Sequence, residues 1–289
     1  MTRAGIVTVA GKPNAGKSTL LNRLVGQKLS ITSEKPQSTR DRIVGIRTDG
    51  DNQMIIADTP GLLDPMYPLQ AAMRVAALSA VADADVIAYL ADAREGVPPS
   101  LVEAAGLERL PSGRIVTVLN KVDLLKRVDL ERLKDEAPDA VPISALSGDG
   151  VADLVTALEE MLPESPFLYP VEDVSTQSVR FFAAELIRET ALEQLGAEVP
   201  YSVACAIEEF REGRAPVYIR AVLYVERESQ RRILIGEKGK RIRTLGTAAR
   251  KKIETLIGES VYLDLWVKVL QNWRKDAAAL RRFGYTLPK

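Results

Sequence analysis

The stretch GKPNAGKS at residues 11–18 decides the fold. It fits the pattern GxxxxGK[ST], and its flanks suit it. IVTVA at 6–10 is a short apolar run of the kind a buried parallel strand shows. A helix is predicted over 17–26, with Leu20, Leu21, Leu24 and Val25 on one face. The octapeptide therefore lies on a strand-to-helix turn. Gly11 and Gly16 let the backbone curl so that N–H groups from Asn14 to Thr19, including those of Ala15, Gly16 and Ser18, face phosphate oxygens. The helix N-terminus adds partial positive charge. Lys17 is expected to reach the β- and γ-phosphates, and the Ser18 hydroxyl to ligate Mg²⁺.

Three partner motifs follow in the order a GTPase needs: DTPG at 58–61, NKVD at 120–123 and SAL at 144–146. Asp58 ends an apolar strand and can hold Mg²⁺ through a water, while the Gly61 N–H can meet the γ-phosphate. Alone, DTPG reads as a turn; its spacing from the first loop makes it a site. NKVD selects the base. The Asp123 carboxylate accepts two hydrogen bonds from guanine N1–H and the exocyclic amine. Adenine lacks both donors and leaves a desolvated carboxylate unpaired. Asn120 can bond the purine edge and tie loops together, and the Lys121 stem can lie along the ring. Ser144 and Ala145 are expected to close the base pocket with a backbone N–H. Together these motifs predict a site for GTP and GDP with Mg²⁺, on a P-loop NTPase fold.

Composition narrows the alternatives. The 289 residues suggest about two domains, and 46% hydrophobic content is enough for buried cores. A single cysteine, Cys205, excludes an intramolecular disulfide and fits a reducing cytosol. The absence of histidine removes histidine zinc sites and Ser/His catalysis. No signal peptide is expected, and no apolar run is long enough to span a bilayer. Net charge is zero but uneven: residues 1–170 carry 18 Lys+Arg against 23 Asp+Glu, and residues 171–289 carry 21 against 16. The C-terminal part is thus expected to meet a polyanion.

Up to about Leu162 predicted strands (6–10, 43–48, 53–57, 86–92, 114–119, 140–143) alternate with helices (17–26, 69–81, 100–109, 130–135, 151–162). The turn DGDN at 49–52 pairs the second and third strands antiparallel at a sheet edge; the rest reads as doubly wound α/β with a mixed, mostly parallel sheet. The expected domains are a GTPase domain at 1–163, a linker at 164–177 stiffened by Pro166 and Pro170, and an α+β domain at 178–289. In the last, helices are predicted at 179–195, 228–235, 240–257 and 273–283. Strands are predicted at 203–210, 217–226 and 261–269.

GEKG at 236–239 matches the GxxG loop that joins two helices in KH domains and clamps single-stranded RNA by its backbone. A lone GxxG is weak. The order helix, strand, strand, helix, GxxG, helix, strand fits the type II KH arrangement. Residues 226–252 carry ten Lys+Arg and three Glu, a composition that suits the ligand. Candidate RNA contacts are Gly236, Glu237, Lys238, Gly239, Lys240 and Arg241, with Glu237 expected to point away from phosphates.

A small GTPase domain joined to a C-terminal KH domain resembles the Era GTPases. The resemblance covers essentially the whole chain, through GKPNAGKSTLLN, KPQSTRDRIVGI, DTPGLL, NKVD, IGEKGKRIRTLGTAARKKIE, LDLWVKV and WRKD. It implies binding of the small-subunit (16S) ribosomal RNA near its 3′ end and a role in maturing the small ribosomal subunit; a monomer in the cytoplasm is expected. It also implies that Thr39 joins Mg²⁺ in the GTP state, and that Lys17, Gly61 and Asn14 serve catalysis. Asn14 matches the asparagine of relatives that use K⁺. Leu62 stands where Ras-like proteins have a water-orienting glutamine. Ser38 stands where a second threonine is common. Three alternatives stay open: an RNA chaperone with structural nucleotide, a GTPase acting on tRNA modification or the large subunit, and peripheral membrane contact by residues 273–285.

Overall fold

The computed structural model describes residues 1–33, 35, 37–196, 199–213 and 215–288. The chain divides into two compact units, one of Met1–Met66 with Gln70–Thr176, the other of Tyr67–Leu69 with Gln177–Leu287. In the described residues of the first unit, strands β1 (Arg3–Ala10), β2 (Ile43–Asp49), β3 (Asn52–Asp58), β4 (Val86–Asp92), β5 (Arg114–Asn120) and β6 (Val141–Ile143) form one sheet in the order β2-β3-β1-β4-β5-β6. All neighbours are parallel except β2 and β3, which pair antiparallel across the 49–52 turn. Val7, Val9, Ile56, Val86, Ile87, Leu90 and Val118 are fully buried. Such strands are apolar throughout because helices cover both faces. The strand order reverses direction at β1, so the loop leaving Ala10 opens at the sheet's switch point, where ligands of open α/β sheets bind.

The helices are α1 (Lys17–Val25), α2 (Pro68–Ala82), α3 (Leu101–Ala105), α4 (Arg127–Glu136) and α5 (Val151–Glu160). The third is shorter than the 100–109 expected, because the chain turns left-handed at Gly106, whose N–H returns to the carbonyls of Glu103 and Val102. Residues 164–176 run along the first unit rather than away from it. Arg3 bridges to Glu164 and Gly45 to Ser175. The fully buried Gln53 side chain accepts from Leu168 N and Tyr169 N (2.8 and 3.0 Å) and donates to Tyr169 O (2.8 Å). A buried amide that satisfies three backbone groups fixes this strap against the sheet.

In the second unit, β7 (Ala204–Arg211), β8 (Val217–Val225) and β9 (Val261–Val269) form a sheet, β7 antiparallel and β9 parallel to β8. The helices are α6 (Val179–Gln194), α7 (Glu228–Ile235), α8 (Lys240–Ile257) and α9 (Ala277–Arg282). Leu245, Ala249 and Ile253 recur every fourth residue of α8 and meet Ala183, Ile187 and Ala191 of α6 over Ile219, Ala221 and Leu223 of β8. Full burial of each Leu or Ile contributes about 1.5–3 kcal/mol. The closing helix is six residues long, not the eleven expected over 273–283. Residues 271–275 form turns, with Asn272 at φ 51°, and Asp276 caps the helix through Ala279 N at 2.6 Å. Trp273 is fully buried: its Nε1–H donates to Ser202 O at 2.8 Å, and its ring meets Phe283 edge-on at 5.3 Å. Its apolar surface is spent on the core. No helix among the described residues is long and apolar enough to cross a membrane. Of the sequence-predicted features, Pro36 of the 35–46 stretch, Arg214 of the β7–β8 turn, and Lys289 lie outside the described residues.

Candidate nucleotide and RNA sites

Each GTPase motif residue sits at the carboxyl end of a strand: the phosphate loop after β1, Asp58 on β3, Asn120 on β5, Ser144 after β6. They surround a cavity of about 630 Å³ lined by Asn14, Gly16, Lys17, Ser18, Thr19, Thr39, Gly61, Asn120, Lys121, Asp123 and Ala145 among others. Of the predicted residues, Gly11, Ala15, Asp58 and Ser144 lie behind this lining; Ala15, Asp58 and Ser144 are buried. Gly16 has φ 100°, and a Cβ there would stand 2.2 Å from Asn120 Nδ2, so only glycine lets the loop pass beneath that side chain.

The phosphate end is built around buried charge. Lys17 is 6% exposed, and its Nζ donates to Lys12 O at 2.7 Å, folding the side chain back across the loop. Burial pulls its pKa down to about 8, against the opposing charge of Asp58. Asp58 is shifted upward by burial, while Lys17 and hydroxyls around it pull the other way. Ser18 Oγ donates to Asp58 Oδ2 at 2.7 Å and lies 2.9 Å from Thr39 Oγ1, which reaches the same carboxylate oxygen at 3.4 Å. Asp58 Oδ1 is buried with no hydrogen-bond partner among the described residues. An orphaned carboxylate oxygen beside two hydroxyls is a hard-oxygen donor set that suits Mg²⁺. Leu62 is 5% exposed, with its N–H on Gly11 O at 2.9 Å and its side chain packed with Ala77, Val81 and Tyr89. No side-chain hydrogen-bonding group therefore follows Gly61 at that position.

The base end is tied together by Asn120. Its Nδ2 donates to Ala15 O at 2.7 Å and its Oδ1 accepts from Ala145 N at 2.9 Å. The Ser144–Ala145 loop expected to close the base pocket is thus tied to Asn120. Ala145 N–H is spent on Asn120, while Ser144 N–H goes to Asp149 O at 2.8 Å. A buried amide and its neighbouring N–H satisfy each other more cheaply than either could alone. Arg23 of α1 holds the same loop through Ala145 O (2.6 Å) and Leu146 O. Asp123 sits on the 3₁₀ turn Val122–Leu124, and no hydrogen bond reaches its carboxylate among the described residues. Lys121 (φ 70°) and Asn14 (φ 63°) are both left-handed without being glycine. Each costs about 1–3 kcal/mol that surrounding contacts must offset. Sequence reasoning missed Ile31, Thr32, Gln37, Arg94, Leu124 and Leu146, which line the cavity. Ile31, Thr32, Arg94 and Leu124 sit on loops outside the motifs, and no spacing rule carries them; Gln37 and Leu146 lie inside stretches the sequence singled out, but without a role of their own.

In the second unit, a groove of about 500 Å³ is lined by Gln194, Arg232, Ile233, Gly236, Glu237, Lys240, Arg241 and Thr244. Four of the six predicted RNA contacts are in its wall; Lys238 and Gly239 are not. Glu237 is one of the four. The 3₁₀ turn begins at Glu237, directly after the extended ψ of 178° at Gly236, and this sets Glu237 in the groove and left-handed Lys238 (φ 49°) outside its wall. Lys238 O in turn accepts from Arg243 Nη2 at 3.0 Å. The first turn of α8 carries Lys240, Arg241 and Arg243 and no acid. Cations at a helix N-terminus oppose the helix dipole, each by about 0.3–1 kcal/mol. The arrangement is favourable once an anion lies there.

Comparison with known proteins matches residues 6–121 to the family model described as 50S ribosome-binding GTPase and residues 198–274 to that of the KH domain. GTPase Era of Pseudomonas fluorescens is 41% identical over 98% of this chain and 97% of its own. GTPase Era of Carboxydothermus hydrogenoformans is 40% identical over 98% of each. Two solved Era structures superpose with a TM-score of 0.91 at 36% identity, over 99% of this chain and all of theirs. One is an Aquifex aeolicus variant bound to GDP·AlF4⁻, the other a complex with MgGDPNP and nucleotides 1506–1542 of 16S ribosomal RNA. Full-length identity at this level, carried on a phosphate loop, a guanine-selecting loop and a KH groove in one order, places the chain in the Era family of GTPases.

Proposed function

We propose that this GTPase is a slow switch that binds 16S ribosomal RNA near its 3′ end in its KH groove and assists maturation of the small ribosomal subunit in the cytoplasm, acting as a monomer. One observation carries the reading: the Era structure that holds MgGDPNP and nucleotides 1506–1542 of 16S ribosomal RNA matches this chain over 99% of its length. The groove and the basic first turn of α8 supply the matching chemistry here.

In this reading Asp123 takes the guanine N1–H and amine, Asn120 locks the phosphate loop to the base loop, and Lys121 lies along the ring. Lys17 and the loop N–H groups stabilise charge on the β–γ bridge as water attacks in line, with Gly61 N–H at the γ-phosphate. Ser18, Thr39 and Asp58 would hold Mg²⁺, which neutralises phosphate charge when bound. With Leu62 in the core, water is not oriented by a side chain at that position, and hydrolysis is slow. Asn14 lines the cavity and is the candidate for a K⁺ site. Turnover in K⁺ several times faster than in Na⁺ at equal ionic strength is the expected result, and equal rates would remove that part alone.

The test of the main reading is equilibrium binding of an RNA of nucleotides 1506–1542 by the full chain, against a scrambled RNA. Equal affinity for the two would sink the assignment. The family model matched by the first unit is named for the 50S ribosome; sedimentation with 50S rather than 30S precursors would favour that second reading.

A further inference from the structure

We propose that Asp92 is a positioning residue of the guanine site: its carboxylate fixes Lys121 against the phosphate loop, so that base clamp and phosphate loop are held as one unit. The inference rests on reading the large cavity as the guanine-nucleotide site. Asp92 is the last residue of β4 and pairs in register with Asn120, the last residue of β5. The sheet therefore sets it one strand away from the base-selecting loop. Its Oδ2 accepts from Lys121 Nζ at 2.8 Å and from Arg94 Nη2 at 2.6 Å. Its Oδ1 accepts from Arg94 Nε at 3.0 Å and Arg94 N at 3.1 Å. The Lys121 ammonium also donates to Asn14 O at 2.7 Å. One ammonium thus bridges the carboxylate of β4 and the carbonyl of the phosphate loop.

Three features say this is more than a cap on the turn Ala93–Glu95. First, the capping bond uses Oδ1, whereas the Lys121 bond uses Oδ2. Second, the two residues joined by that ammonium, Lys121 and Asn14, are both left-handed non-glycine residues. Their backbones sit in sparsely populated conformations at the cavity wall, which persist only where surrounding bonds over-determine them. Third, Asp92 is itself absent from the wall of the nucleotide cavity, while Arg94, Lys121 and Asn14 are all in it. The carboxylate acts through them. Its side chain is only 10% exposed. Burial pushes its pKa up, but the bonds from Arg94 and Lys121 outweigh burial and hold it well below the usual carboxylate range, so it stays charged. Arg94 is the second counter-ion. It leaves a net positive charge on the trio, as suits a wall facing a nucleotide.

A cap alone predicts lost stability. A positioning residue predicts a weaker hold on guanine nucleotide and coupling to Lys121. The experiment is a double-mutant cycle in the full chain with fluorescent GDP and GTP, using Asp92→Asn and Lys121→Met, the second of which keeps the stem and loses the ammonium. Each single change is expected to weaken binding about tenfold, through faster dissociation. The double variant is expected to be no more than twofold weaker than the weaker single. Single-turnover hydrolysis of saturating GTP should stay within about threefold of native in Asp92→Asn, splitting affinity from chemistry. Multiplicative losses near a hundredfold, or binding by Asp92→Asn within twofold of native, would overturn the proposal. So would a fall in hydrolysis as large as the fall in affinity. If Asp92→Asn unfolds at assay temperature, Asp92→Glu enters the same cycle and is read by the same non-additivity. Native protein that fails to bind GTP overturns the cavity's assignment instead, which keeps the two failures distinct.

Discussion

At the scale of single residues, the nucleotide site separates into groups whose chemistry their type declares and groups whose role depends on where loops fall. Asp123 belongs to the first kind. Asp123→Asn replaces an acceptor pair by an amide that can pair with xanthine, so GTP affinity should fall by on the order of 10²-fold, with XTP recovering much of it. Competition binding with GTP, XTP and ATP checks this, and equal binding of ATP and GTP by the native protein would refute the base assignment. Lys17 gives a pH dependence. Burial draws its pKa down to about 8, below the ordinary lysine value. The charged form binds phosphate, so Kd for GTP should rise about tenfold between pH 7 and pH 9. Folding stability moves the other way: a depressed lysine disfavours the folded state at neutral pH, and that cost is relieved as pH climbs from about 8 toward 10.5. A titration of Kd that is flat to pH 9 would show that Lys17 is not depressed. Residues of the second kind were not legible. Nothing in DAREG marks Arg94 as lining the cavity, and nothing in SAL says that Ala145 N–H is already spent on Asn120. Both facts follow from the distance between loops, which spacing along one chain does not encode.

Among the elements, buried strands and long amphipathic helices could be read closely because their periodicity is a direct image of burial. Helix α8 starts at Lys240 and ends at Ile257 as expected, with Leu245, Ala249 and Ile253 as its inward stripe. Leu245→Ala should cost about 2–5 kcal/mol of the second unit's stability, since the side chain is fully buried and helices on both sides limit collapse around the void. Urea unfolding followed by circular dichroism measures it; a loss below 1 kcal/mol would mean the stripe is not a core. Short elements were read poorly. Trp273, Leu280 and Phe283 fall at helical spacing and so imitate one long helix, yet Trp273 is placed by a turn and an indole bond to Ser202 O. The strap at 164–176 was legible as non-helical from its prolines, but not as packed. Its anchor is Gln53, which reads as an unremarkable polar residue near the start of a strand.

For the whole molecule, the uneven charge was the strongest global signal, and the proposed RNA site accounts for part of it. The excess of cations beyond residue 170 gathers at the GxxG turn and the opening of α8, against the helix dipole. Single-stranded RNA binding by the full chain should therefore weaken with salt, each phosphate contact contributing about 0.7 to the slope of log affinity against log salt. Changing Glu237 and Lys238 together to Asp tests the turn itself. Lys238 is left-handed, a conformation that Asp tolerates better than most residues. Both positions lie on the turn rather than in the core, so folding should survive. Lys238 follows Glu237 on the same turn, outside the groove's wall, and Glu237 lies in it. Two carboxylates would then face the phosphate path where one carboxylate and one ammonium stand. Affinity for a labelled 16S 3′-end oligonucleotide should fall at least tenfold, and GTP binding in the first unit should be unchanged. Superimposable titrations of native and doubly substituted protein, with matching circular dichroism, would mean that RNA does not pass the GxxG turn and that the basic face of α8 is merely solvated.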